Sequence, residues 1–136
     1  MAGIAVADSG FLVALLRRGD EYCGWAEMQA AQHARPWYTC EAALSEAFFL
    51  LGPAGAPALL ALLRRHAVVV SFELGNNLLP VLGLMQKYSN VPMSLADACL
   101  VRMTELHAEP MILTTDSDFT IYRRHGRQVV PHVRPS

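Results

Sequence analysis

Short apolar runs of strand length alternate along this chain with longer stretches in which apolar residues recur at helical spacing, the pattern of an α/β domain. Ile4 to Ala7 carries no polar interruption, as expected of a strand buried on both faces of a parallel sheet. A helix follows from about Gly10 to Arg17, and Asp20 is placed to cap a second helix running to about His33, before Pro36. Trp37 to Thr39 reads as a brief strand, with Thr39 able to cap a helix beginning near Cys40. Cys40 to Leu51 and Ala56 to His66 read as helices hinged at the intervening Gly and Pro residues. Ala67 to Phe72 is a β-branched strand and Asn76 to Tyr88 a helix with Pro80 near its start, where proline is best tolerated. Ser94 caps a helix to about His107; Met111 to Thr115 is a strand, Ser117 to His125 a short helix, and Gln128 to Val130 a last strand. The sum predicts one α/β domain over residues 1–136: about five mostly parallel strands with helices on both faces.

Composition narrows this further. At 136 residues, 53% hydrophobic and 17% charged, the chain has the core of a folded domain, which excludes disorder and low-complexity scaffolds. Eleven Lys plus Arg against twelve Asp plus Glu give a net charge of −1, without the strongly basic footprint of a DNA-wrapping module. The apolar, uncharged stretch Ala47 to Leu63 has nearly the length of a membrane span, but Gly52, Pro53, Gly55 and Pro57 interrupt it. No basic residue precedes Arg17, so neither a secretory signal nor a presequence is expected, and the protein is expected to be cytoplasmic. Cys23, Cys40 and Cys99 show no C-x-x-C spacing and read as small core residues.

The candidate chemistry lies in carboxylates with the wrong neighbours. Asp20, Glu21, Glu27, Glu105 and Glu109 sit in polar stretches and read as solvated. Glu46 has Ala42, Ala43, Phe49 and Leu50 three and four residues away, an apolar helix face on which an unpartnered ionised carboxylate would cost several kcal/mol. Asp97 repeats the pattern among Met93, Leu100 and Val101, although Ser94-Leu-Ala-Asp97 also matches a capping box. Asp8 and Asp116 end apolar strands, each where a helix begins and each able to cap it.

In an open parallel sheet the carboxyl ends of the strands and the adjoining helix starts face one crevice. Asp8, Asp97 and Asp116 fall at such places, and Glu46 would lean in from the side. Carboxylates brought together repel, and the remedies are raised pKa values or bound cations. Lys87 is the only lysine. A hard divalent ion, Mg²⁺ or Mn²⁺, fits an all-oxygen donor set better than zinc, and one or two such ions would serve hydrolysis of a phosphodiester by activated water.

These residues resemble PIN-domain proteins, particularly the VapC-like ribonuclease toxins, over nearly the whole chain. Val6-Ala-Asp8-Ser9 resembles the family's opening strand; Leu44-Ser-Glu46-Ala47 the helix with the second acid; Pro92-Met-Ser-Leu-Ala-Asp97-Ala98 the third motif; and Leu113-Thr-Thr-Asp116-Ser-Asp118-Phe119 the fourth. The resemblance implies a metal-dependent endoribonuclease, the toxin of a type II toxin–antitoxin pair, dimeric and held inactive by a cognate antitoxin. It implies Asp8, Glu46, Asp97 and Asp116 as metal ligands, Asp118 as a fifth, and Ser9 and Thr114 as hydrogen-bonding supports. Ser94 stands where some relatives carry another acid.

Other signals are weaker. Arg17-Arg18 and Arg64-Arg65 fall at predicted helix ends, where a cation complements the helix dipole. Arg123, Arg124 and Arg127 follow Asp116 closely and are the better candidates for RNA contact. The five histidines show no ligand spacing. Trp25, Trp37 and Tyr38 read as buried or as subunit contacts in preference to base-stacking platforms, and the apolar Phe48 to Leu63 region is a candidate homodimer surface. Three rivals stand beside the nuclease. A haloacid-dehalogenase-like phosphatase needs D-x-D, but after Asp8 and Ser9 the second Asp is replaced by Gly10; a receiver domain needs a late strand-end lysine, whereas Lys87 lies in a predicted helix. The third is a catalytically silent RNA- or protein-binding domain on the same scaffold.

Overall fold

The computed structural model describes residues 3–136. In chain order the elements are strand β1 (Ile4–Ala7), helices α1 (Ser9–Leu16) and α2 (Cys23–Gln32), strand β2 (Trp37–Thr39), helix α3 (Glu41–Arg64), strand β3 (Val68–Val70), helices α4 (Leu78–Lys87) and α5 (Leu95–Glu105), and strands β4 (Pro110–Leu113), β5 (Arg123–Arg124), β6 (Gln128–Val129) and β7 (His132–Val133). Five strands form a parallel sheet in the order β3-β2-β1-β4-β7, an α/β architecture consistent with a Rossmann-like or PIN-like domain.

Each central strand is buried on both faces, so its alternate side chains enter two different cores. Ala5 and Ala7 of β1 and Leu113 of β4 pack with Phe11, Leu12, Trp37, Leu44, Leu59 and Leu62 beneath α1, α2 and α3. Val6 and Ile112 point the other way, toward Val81, Leu100, Val101, Met103 and Tyr122 under α4 and α5. This alternation is the physical content of an apolar run with no polar interruption. The chain runs outward from β1 to β2 and β3, then returns to place β4 on the other side of β1. The strand order therefore reverses at β1/β4, and the carboxyl ends of these two strands flank a crevice of the kind where open α/β sheets bind ligands.

Several local expectations are corrected. Cys40, not Thr39, is the N-cap of α3; the Thr39 hydroxyl donates to the Ala7 carbonyl at 2.8 Å and ties the ends of β1 and β2 together. Asp20 accepts from the Tyr22 N–H at 2.9 Å in the turn before α2, whose N-cap is Tyr22. The hinge in α3 is confined to Gly52 (φ 65°, ψ −174°), a conformation essentially restricted to glycine, and helix resumes at Pro53 instead of Ala56. Glu41–Arg64 is as long and apolar as a membrane span, with only 22% of its most apolar window buried. The Gly52 break leaves two segments of about a dozen residues, each short of the ~20 that a spanning helix needs.

The C-terminal region departs most. Ser117–Thr120 is a single 3-10 turn, and β5 and β6 form an antiparallel hairpin outside the main sheet. The fifth strand of the parallel sheet is β7, two residues beyond the stretch expected to fill that place. His125 (φ 51°) and Gly126 (φ 86°) take successive positive φ values and reverse the chain, which ends any helical path through His125.

Candidate functional site

At the reversal point an open cleft of about 330 Å³ is lined by Asp8, Ser9, Gly10, Glu46, Pro92, Ser94, Asp97, Thr115, Asp116 and Asp118. All five carboxylates proposed from the sequence as metal ligands open onto it. Asp8 follows β1, Asp116 and Asp118 follow β4, Glu46 projects from α3 and Asp97 from the start of α5. The lining contains no lysine, arginine or histidine. Among the described residues the one ion pair, Arg102 with Glu105 at 3.2 Å, lies elsewhere.

Backbone and hydroxyl donors hold the strand-end acids. Asp8 is the N-cap of α1: Oδ1 accepts from the Ser9 N–H at 2.7 Å, and Oδ2 accepts from the Thr114 hydroxyl at 2.7 Å. The same Thr114 oxygen accepts from the Asp116 N–H at 2.9 Å, so one buried side chain spans the carboxyl ends of β1 and β4. Asp116 Oδ1 in turn accepts from the Asp118 N–H at 2.8 Å and caps the 3-10 turn. Ser9 and Thr114 thus both hydrogen-bond Asp8, and the carboxylates that cap the helix starts also line the cleft.

Asp97 resolves differently from a simple capping box. The Ser94 hydroxyl accepts from the Asp97 N–H at 3.0 Å, which is half of that motif. The Asp97 carboxylate, instead of returning a bond to the Ser94 backbone, accepts from the Tyr122 hydroxyl at 2.8 Å. Tyr122 is wholly buried and was not singled out in the sequence. Its only signal there was an aromatic residue a turn beyond Phe119, which reads as core. Gly10 is a second residue that sequence reasoning passed over: a Cβ there would lie 2.2 Å from Thr115 Oγ1, so glycine lets the start of α1 approach the end of β4.

The electrostatics carry the mark of crowded, desolvated acids. Burial pushes the Asp8 carboxyl up to about 7; the charges of Asp97 and Asp116 add to this, while the Thr114 hydroxyl and Ser9 N–H oppose it. Burial also lifts Asp97 to about 6, with Asp116 and Glu46 adding and the Tyr122 and Ser94 hydroxyls opposing. Glu46 and Asp118 are each raised by burial and then by Asp116. The expectation for Glu46 needs one amendment, since Phe49 is 84% and Leu50 48% exposed; its helix face is apolar in sequence but open to solvent beyond the cleft.

The donor set is entirely oxygen, which suits a hard divalent cation. Among the described residues, no three carboxyl, imidazole or thiol groups stand close enough to enclose an ion directly. Carboxylates spread around a cleft, not drawn into a cage, match an ion that retains part of its water shell, as Mg²⁺ does when bound by a few carboxylates. On that chemistry the residues present fit the group.

The arginines expected to contact RNA are largely engaged inside the fold. The Arg123 guanidinium donates to the carbonyls of Thr120, Ile121 and Tyr122. Arg124 is buried and donates to the His107 carbonyl at 3.0 Å. Only Arg127, in the hairpin turn, is exposed. Lys87 donates to the Gly126 carbonyl and lies over the Tyr88 ring, outside the acidic cleft. Trp37 is fully buried, with Phe11 edge-on to it and to Trp25. A scan against protein-family models and a search of curated proteins found no match to this chain.

Proposed function

We propose that this protein is a Mg²⁺- or Mn²⁺-dependent endoribonuclease of the PIN type, with Asp8, Glu46, Asp97 and Asp116 holding one or two ions, directly or through water, and Asp118 assisting. The observation that carries this reading is the convergence of five carboxylates on one cleft at the β1/β4 reversal, two of them buried, without a basic side chain in the lining.

When bound, the ion would supply the positive charge that acidifies an attacking water and stabilises the departing oxygen. The chain's own residues supply the rest. Thr114 and the Ser9 N–H fix the orientation of Asp8, and the Asp118 N–H fixes Asp116. With no cation in the cleft, burial and the charges of Asp97 and Asp116 hold the Asp8 carboxyl up to about 7, and a bound divalent ion would favour its ionised form. Of the serines that line the cleft, Ser9 lies 3.4 Å from an Asp8 oxygen that already accepts a shorter backbone bond, and the Ser94 hydroxyl beside Asp97 is engaged by the Asp97 N–H. Water is therefore the nucleophile this site favours.

RNA is the proposed substrate on the strength of the family resemblance, as is pairing with a cognate antitoxin in a type II toxin–antitoxin system. The proposed homodimer surface is the outer face of α3, where Phe49, Leu50 and Leu60 are exposed. Incubating the purified protein with single-stranded RNA, with Mg²⁺ or Mn²⁺ and with EDTA, tests the reading: internal cleavage that requires the metal supports it, and its absence under all metal conditions refutes it.

A further inference from the structure

A second hollow, of about 370 Å³, adjoins the acidic cleft and shares Gly10 and Thr115 with it as a common wall. Val13 of α1 and Leu50 of α3 supply apolar sides, and the turn between α1 and α2 brings in Asp20, Glu21 and the half-buried Tyr22. That turn is held by its own bonds. The Asp20 N–H donates to the Arg17 carbonyl at 3.3 Å, the Asp20 carboxylate accepts from the Tyr22 N–H at 2.9 Å, and the Cys23 N–H donates to the Asp20 carbonyl at 3.1 Å. An aromatic residue, two aliphatic side chains and two carboxylates therefore meet in one preformed space, the mixture of apolar walls and a few placed polar groups by which pockets orient a ligand.

Beyond Leu50 the surface changes sign. The Arg17 guanidinium donates to the Leu50 carbonyl, and Arg17 and Arg18, both exposed, line a further hollow of about 220 Å³. Helix α1 thus carries Asp8 at its N-cap in the acidic cleft and Arg17 at its C-cap. The two are ~13 Å apart at the helical rise, a span that a few nucleotides of extended single strand cover.

We propose that the hollow beside the cleft is a base-recognition subsite: an unpaired guanine next to the phosphodiester under attack enters it and donates its N1–H and N2–H groups to the Asp20 and Glu21 carboxylates, and the strand continues to Arg17 and Arg18. This assignment rests on the RNA-cleavage reading above, which puts the phosphodiester in the acidic cleft. Single-stranded RNA is read by splaying bases onto aromatic side chains and hydrogen-bonding their Watson–Crick edges. Carboxylates offer acceptors only, and guanine is the base with two adjacent N–H donors on that edge. Adenine and cytosine set a ring-nitrogen acceptor beside their amino group, and uracil flanks its one N–H with two carbonyls, so carboxylates repel part of each. The acidic hollow turns a phosphate away, and the guanidinium groups of Arg17 and Arg18 receive it.

The test uses synthetic single-stranded RNAs with guanine, inosine or adenine at each position flanking the cut, incubated with Mn²⁺ and either wild type or the double variant Asp20→Asn/Glu21→Gln, each shown to be folded by circular dichroism. Asparagine can still accept from the Tyr22 N–H, so the turn is kept. At one flanking position wild type is expected to show kcat/KM at least ~10-fold higher for guanine than for adenine, with inosine, which lacks the N2 amino group, in between. The double variant is expected to lose most of that ratio. A wild type indifferent to the base overturns the proposal, as does a variant that cleaves all substrates more slowly but keeps the ratio, the result of a merely structural role. Should the double variant not fold, the exposed Glu21→Gln alone carries the comparison, with the same outcomes.

If wild type cleaves no RNA, the nuclease reading fails and the subsite is judged without activity, from the backbone amide NMR signals of wild type in EDTA as guanosine monophosphate or adenosine monophosphate is added. Shifts at Glu21 and Tyr22 with the guanine nucleotide that the adenine nucleotide does not produce uphold the subsite. Equal shifts, which the shared phosphate would cause, or no shift with either nucleotide, overturn it.

Discussion

The Thr114 hydroxyl donates to Asp8 Oδ2 across 106 residues of sequence, at 2.7 Å, and through its second contact with the Asp116 N–H it couples the ends of two adjacent parallel strands. Thr114→Val keeps the shape and removes both bonds. It is expected to destabilise the protein by about 1–3 kcal/mol, because a buried carboxyl and a backbone N–H each lose their partner. Metal affinity should fall ~10–100-fold, as when an outer partner of a metal ligand is removed. Urea denaturation and metal titration measure the two effects, and a variant that binds Mn²⁺ as wild type does would show that the link is merely structural.

The raised carboxyls make the metal-free protein sensitive to pH in a defined direction. Asp8 titrates near 7 and Asp97 near 6 in the fold, against 3.8 for an ordinary aspartate. The folded state therefore holds protons that the unfolded chain has already released. Their stabilising contribution is fully present below about pH 4 and is lost as pH rises toward 7. In EDTA the Asp8→Asn protein should gain melting temperature relative to wild type on moving from pH 5.5 to pH 8, since Asn keeps the cap and removes the charge. Parallel pH profiles for the two proteins would contradict the assignment.

Divalent ions should act in the opposite sense. At ten times the dissociation constant, an ion that binds only the folded state adds about 1.4 kcal/mol. That is about 5 °C for a domain of this size. Differential scanning fluorimetry at pH 8 with and without Mg²⁺ measures it, and Asp8→Asn should abolish most of the shift. An equal shift in the variant would place the ion elsewhere.

Gly10 and Thr115 should show coupled mutational effects. Gly10→Ala places a methyl where Thr115 Oγ1 now stands and is expected to cost about 1–3 kcal/mol, despite the better helix propensity of alanine. Adding Thr115→Ala removes the clash and should recover most of the loss. Additive effects in denaturant titrations would show that the close approach is not what requires glycine.

Arg124 should prove a stability residue. Its guanidinium is buried, with contacts to the His107 carbonyl and His125 Nε2 and with Nε lacking a hydrogen-bond partner. Arg124→Met is expected to change the melting temperature while leaving the RNA affinity of the folded protein within about twofold. A large loss of RNA binding at unchanged stability would restore the role that its position after Asp116 suggested.

The sheet, its parallel strands and its helices on both faces were legible because β1 and β4 are apolar runs without interruption, a pattern with few alternatives. The cleft acids were legible for a related reason: Asp8 and Asp116 close such runs, and Asp97 interrupts an apolar helix face. What the pattern did not carry was chain reversal and long-range pairing. His125 and Gly126 adopt positive φ and turn Ser117–Val129 into a short 3-10 turn plus a hairpin, where local propensity favours a helix. Tyr122 was invisible because nothing local distinguishes a phenol that bonds a carboxylate 25 residues away from one that packs in a core. For the arginine cluster, adjacency in sequence to Asp116 does not fix the direction of a guanidinium, and neighbouring carbonyls engage Arg123 and Arg124 while Arg127 is exposed.

The most direct test of the central claim is metal-dependent RNA cleavage by wild type, Asp8→Asn and Asp97→Asn, each first shown to be folded by circular dichroism. The account predicts internal cleavage by wild type with Mg²⁺ or Mn²⁺, none with EDTA, and at least ~100-fold slower cleavage by either folded variant. Cleavage that persists in EDTA, or at wild-type rate in both variants, would contradict it.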